Sequence, residues 1–106
     1  MTSNQDEGRS EQEWLISLNR SIILFPDAPA NYVLRGEYYC SVRDYERAWH
    51  DFWRAYELAS EQVRRADWGI VAQVTQDRAL YGLQEAEKHL QRRQPQLHAT
   101  PVEEED

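Results

Sequence analysis

Residues Tyr32 to Leu58, YVLRGEYYCSVRDYERAWHDFWRAYEL, constrain the fold more than any other part of the chain. Tyr32, Val33, Tyr39 and Cys40 recur around Gly36 at the spacing of one helix face rather than of a strand. A glycine in mid-helix costs about 1 kcal/mol against alanine, a cost that makes sense where a neighbouring helix must come close. Ser41-Val42-Arg43-Asp44 reads as a turn, with Asp44 placed to cap the next helix by accepting its free N–H groups. The second helix then sets Tyr45, Ala48, Trp49, Phe52, Ala55, Tyr56 and Ala59 on one broad stripe. Large and small residues alternate along it, so that helices cross at the alanines and the rings fill the gaps beside them.

Over residues 28–60 this pattern closely resembles a tetratricopeptide repeat (TPR), a helix–turn–helix unit of about 34 residues. The matching residues are Tyr32, Arg35-Gly36, Tyr39, Asp44-Tyr45, Ala48, Phe52, Ala55 and Leu58, while Ser60 stands where the family usually has proline. The resemblance implies an all-α fold, a short α-solenoid of antiparallel helix pairs with four to five helices. It also implies the class of function, which is holding another polypeptide without chemistry.

The flanks are read against this unit. Residues 1–9 lack a pattern and are expected to form a disordered arm, with Ser10 and Glu13 as a capping box. A helix follows from about Glu11 to Leu24, its apolar face made by Trp14, Leu15, Leu18, Ile22 and Phe25. Pro26 ends it, Asp27 is placed to cap the following helix, and Pro29 suits that helix's first turn. This first helix resembles the second half of a preceding repeat, with Trp14 where the family has alanine. A terminal half-repeat of this kind acts as a cap.

From Glu61 to Arg93 the chain is helical by composition, with Val63, Trp68, Ile70, Val71, Val74, Leu80, Tyr81, Leu83, Ala86 and Leu90 as apolar positions. Their phase slips near Gln76 to Ala79. Either two helices meet there, the second capped by Asp77, or one long helix runs through. Residues 10–93 thus make the helical domain, and residues 94–106, which finish in four acids, an acidic disordered tail.

The net charge of −7 is concentrated at the ends, leaving about −2 for residues 10–93. No basic face is present for a nucleic-acid partner or for an acidic membrane surface. There is no apolar run of spanning length and no signal-peptide core, so a cytoplasmic protein is expected. The lone Cys40 excludes an intrachain disulfide and a cysteine-rich metal site. His50, His89 and His98 are scattered, and no metal, paired-carboxylate or phosphate-binding motif occurs. Neither enzymatic activity nor a cofactor is expected.

In the TPR family the first helix of each unit lines a concave groove for partner peptides. Carried onto this chain, the groove candidates are Val33, Glu37, Cys40 and Ser41, then Arg65, Trp68, Ala72 and Gln73. Members that clamp a terminal carboxylate use Lys and Asn there. Val33 and Glu37 oppose such a ligand and favour a segment with basic and apolar residues. Trp53 sits where the repeat is usually polar and is a second candidate anchor for a partner. The competing expectation is self-association, a homodimer formed through Trp14, Trp53 and the last helix.

Overall fold

The computed structural model describes residues 3–66 and 68–93, and side chains from Ser10 onward within them. The secondary structure in these residues is four helices: α1 (Ser3–Leu24), α2 (Pro29–Ser41), α3 (Tyr45–Arg64) and α4 (Gly69–Arg93). The chain is all-α, as expected. The acidic segment 94–106 lies outside the described residues.

The α2–turn–α3 hairpin follows the reading of its sequence. Asp44 is the N-cap of α3, accepting the Arg47 N–H at 3.2 Å. The Arg47 guanidinium also bonds its carboxylate and holds the Asp44 pKa below the usual aspartate value. Phe52 is the largest fully buried side chain and packs between two helices that lack a Cβ at the contact. A Cβ on Gly36 of α2 would sit 2.9 Å from the Phe52 ring, and one on Gly82 of α4 would sit closer still. The ring therefore occupies the space that both glycines leave open, and Gly36 serves the close approach expected of it.

Around Phe52 the core is mainly small. Ala48, Ala55 and Ala59 of α3 face Ala72, Ala79 and Ala86 of α4, all fully buried, so the two backbones run close along their length. Arg35 binds these layers together. Its Nε and Nη2 donate to both carboxylate oxygens of the buried Asp51 at 2.8 Å. Its Nη1 donates to Asn19 Oδ1 at 2.8 Å, so one guanidinium ties α1, α2 and α3. The hydrogen bond to Asp51 raises the Arg35 pKa further, against the opposing effect of burial.

Four expectations are corrected. First, α1 begins at Ser3, so residues 3–9 are helical and Ser10 lies inside the helix rather than capping it. The stretch SNQDEGRSEQE has no proline and is rich in helix-compatible Glu and Gln. Second, Asp27 does not cap α2. Its N-cap is Ala28, without a side-chain bond, and Pro29 in the first turn has no N–H that needs a partner. The turn is held instead by the Tyr32 hydroxyl, which donates to the Pro26 carbonyl at 2.9 Å.

Third, of the two readings at Gln76–Ala79 the continuous one holds, with Asp77 in mid-helix, but the helix does not extend back to Glu61. The chain breaks earlier, after Arg65, where Ala66, Trp68 and Gly69 all have positive φ. Fourth, Ile70, Val71, Val74, Leu80 and Tyr81 are exposed instead of buried. The buried face of α4 is Ala72, Ala79, Gly82, Leu83 and Ala86, because the close contact with α3 selects small residues.

Candidate functional site

α2 and α4 pack side by side through inner faces that meet α3, and their outer edges form a continuous surface. Along this edge of α2 stand Ala30, Leu34, Glu37, Tyr38 and Ser41, all exposed or half-exposed. Along α4 the neighbouring positions are Val71, Thr75, Arg78, Tyr81 and Glu85. Glu37 and Arg78 bridge the two helices, the Arg78 guanidinium lying 2.8 Å from the carboxylate oxygens. Both partners are about half exposed, so the pair orients the surface more than it stabilises it.

The two ends of this surface differ in chemistry. At the end where α2 and α4 begin lies an apolar cleft of ≈ 630 Å³ between the α1–α2 turn and the α3–α4 turn. Leu24, Phe25 and Pro26 form one wall; Trp68, Val71 and Thr75 form the other. Leu24, Phe25 and Trp68 are between 62% and 68% exposed, too much large apolar surface in one place to be incidental. Trp68 has φ +67° and stands between two other residues of positive φ, Ala66 and Gly69. A non-glycine residue in this region costs on the order of 1–3 kcal/mol, and such strain clusters at functional positions.

At the other end, past Glu37–Arg78, a smaller recess of ≈ 320 Å³ is lined by Cys40, Tyr45, Glu85 and His89. His89 stacks on Tyr45 with ring centres 4.1 Å apart. The Cys40 thiol is pushed above its ordinary pKa, first by burial and then by Glu37 and Glu85, so it is a weak nucleophile here. Among the described residues no three His, Cys, Asp or Glu side chains gather as metal ligands. No described helix is long and apolar enough to cross a membrane.

The residues singled out from the sequence divide between this surface and other places. Glu37, Cys40 and Trp68 belong to the surface, at its centre, polar end and apolar end. Ser41 lies at its edge, in a shallow recess with Trp14, Leu34 and Tyr38, its hydroxyl donating to the Tyr38 carbonyl. Val33 and Ala72 are core residues, 1% and 0% exposed, and cannot meet a partner. The repeat pattern placed them one helical position away from the outer edge.

Arg65 ends α3 and pairs with Glu61 on that helix. Gln73 bonds Gln76 along α4. Trp53 stands on the outer side of α3, stacked on Trp49 and Tyr56 at 5.9 and 6.2 Å. It therefore packs along its own helix, apart from the α2–α4 surface. Sequence reasoning missed Leu24, Phe25, Val71, Arg78 and Tyr81. Large apolar residues just before Pro26 and just after Gly69, at helix termini, were the available signal for Leu24, Phe25 and Val71.

Comparison with protein-family models, with curated proteins and with solved structures finds no match. The TPR resemblance thus rests on the residues quoted above.

Proposed function

We propose that this chain is a non-catalytic protein-interaction module of TPR type, which holds a segment of a partner polypeptide along the α2–α4 surface. The observation that carries this reading is the apolar cleft between the two turns, with Leu24, Phe25 and Trp68 presented to solvent and Trp68 held in a strained backbone. An apolar side chain of the partner enters this cleft, and the rest of its segment runs toward Glu37, Arg78 and Glu85. Aromatic residues in a concave apolar site are what interface energetics favour. A partner segment with one bulky apolar anchor and basic residues beyond it fits the chemistry at both ends. A cytoplasmic setting accords with this role.

Selection from a random-peptide display library, followed by calorimetry on the purified winners, tests the reading. Selected peptides should lose at least about tenfold in affinity, or 1.4 kcal/mol, when Val71→Asp or Phe25→Asp is introduced. Trp53→Ala should leave the affinity unchanged. Peptides that bind Val71→Asp as tightly as wild type, or that depend on Trp53, would refute the assignment.

A further inference from the structure

Two helices each leave one long face uncovered. Among the described residues α1 touches only α2, and α4 touches only α2 and α3. On the side of α1 opposite the buried Leu18 stand Glu13, Ile16, Arg20 and Ile23, the isoleucines 58% and 76% exposed. On the side of α4 opposite Ala72 and Ala79 stand Ile70, Val74, Asp77, Tyr81 and Lys88, with Ile70 75% exposed. Both faces carry apolar residues at helical spacing, interrupted by single charges, which is the pattern of a surface that another helix covers.

We propose that the α4 face of one copy of this chain receives α1 of a second copy, head to tail. Helices joined by short turns alternate in direction along the fold, and a second copy's α1 placed after α4 continues that alternation. In this antiparallel arrangement one register satisfies the whole face. Ile23 meets Ile70 and Val74, Arg20 meets Asp77, Ile16 meets Tyr81, and Glu13 reaches Lys88. Among the described residues neither Arg20 nor Asp77 is in a salt bridge, and Lys88 pairs only along its own helix, with Glu85.

The charges also disfavour the symmetric alternatives. Two α1 faces paired through Ile16 and Ile23 bring Arg20 beside the second copy's Arg20. Two α4 faces paired through Val74 and Tyr81 bring Asp77 beside Asp77. Like charges in contact select against both, so the unlike faces prefer each other. A contact between different faces leaves one of each free, and copies then add into a chain or close into a ring. This contact uses neither the cleft nor the Glu37–Arg78 pair and shares only Tyr81 with the α2–α4 surface, so the α1 variant below, which touches none of that surface, tests it apart from the proposed partner site.

Light scattering on the full chain tests the proposal. The mean mass should rise with concentration past that of a dimer. Ile16→Glu with Ile23→Glu blocks the α1 face, and Val74→Glu with Tyr81→Glu blocks the α4 face. All four positions are exposed, and circular dichroism should show both variants folded. Each should be monomeric alone; mixed in equal amounts they should form a dimer that grows no further. Arg20→Asp or Asp77→Arg should each weaken association at least tenfold, and the two together in one chain should restore it. The proposal is overturned if wild type stays monomeric up to about 1 mM, the scale of a weak contact. It is equally overturned if either blocked variant still self-associates, or if the mixture does not assemble. A monomer whose Tyr81 region is protected from exchange would assign the α4 face to the chain's own C-terminal segment instead.

Discussion

The contact on which the core turns is a ring against two missing methyl groups. Phe52 fills the space over Gly36 and Gly82, and both glycines are buried in helices where alanine would otherwise be favoured by about 1 kcal/mol. Gly82→Ala should therefore destabilise despite its better propensity, by about 1–3 kcal/mol from overpacking. Urea denaturation measures it, and Phe52→Leu in the same chain should recover part of the loss. A stabilised Gly82→Ala would mean that the ring is free to move away. Cys40 offers a second measurement at this scale. Burial, and then Glu37 and Glu85, keep its thiol protonated to higher pH than usual. Alkylation of the folded chain near neutral pH should be slower than that of free cysteine, and Glu37→Gln with Glu85→Gln should speed it. The sign for stability follows. A raised folded pKa contributes stability that is complete below the unfolded thiol's value and is lost as pH rises through the folded value. An alkylation rate matching free cysteine would contradict the half-buried placement.

Among the elements, α3 and α4 show where size replaces hydrophobicity as the marker of burial. Ala72, Ala79 and Ala86 recur every seventh residue and all lie against α3, whereas Leu80 and Tyr81 between them face outward. Ala79→Leu should cost about 1–3 kcal/mol by forcing two close helices apart. The exposed Leu80→Gln should stay within about 0.5 kcal/mol. Thermal melts of the pair distinguish the seam from a face led by large residues, which predicts the reverse order. This is also why the α2–α3 hairpin could be read from its sequence and α4 could not. In the hairpin, Asp44, Gly36, Ala48 and Phe52 each announce a local role through residue type. In α4 the large apolar residues mark the outside, and the alanines that mark the inside look unremarkable in a helical composition. The break at Ala66 and Trp68 was equally hard to find, because neither residue type favours a left-handed backbone. The site was legible to the same degree. Glu37 and Trp68 were found, but Arg78, which completes Glu37, lies 41 residues away and only the fold brings them together.

For the molecule as a whole, the consequence is uneven cooperativity. α2, α3 and α4 share the Phe52 core, but among the described residues α1 joins them through α2 alone. Its attachments are the buried Leu18, the Asn19–Arg35 bond and a bond from Asn31 to the Ser21 carbonyl. Few buried contacts and one neighbour place α1 at the low end of the local stability range. Leu→Ala at a buried site costs about 2–5 kcal/mol, as much as this interface is able to supply. Leu18→Ala should thus release α1 while the other three helices remain folded. Hydrogen exchange should show the amides of residues 15–24 losing protection and those around Phe52 and Ala79 keeping theirs. Far-UV circular dichroism should fall by the share of one helix, with the main thermal transition little changed. Uniform loss of protection across all four helices would instead make α1 part of a single cooperative unit. Head-to-tail contact supplies α1 with a second neighbour, so wild-type protection of residues 15–24 should increase with protein concentration while the Phe52 core stays constant. The helix that is weakest within one copy is then the one that gains most from the next.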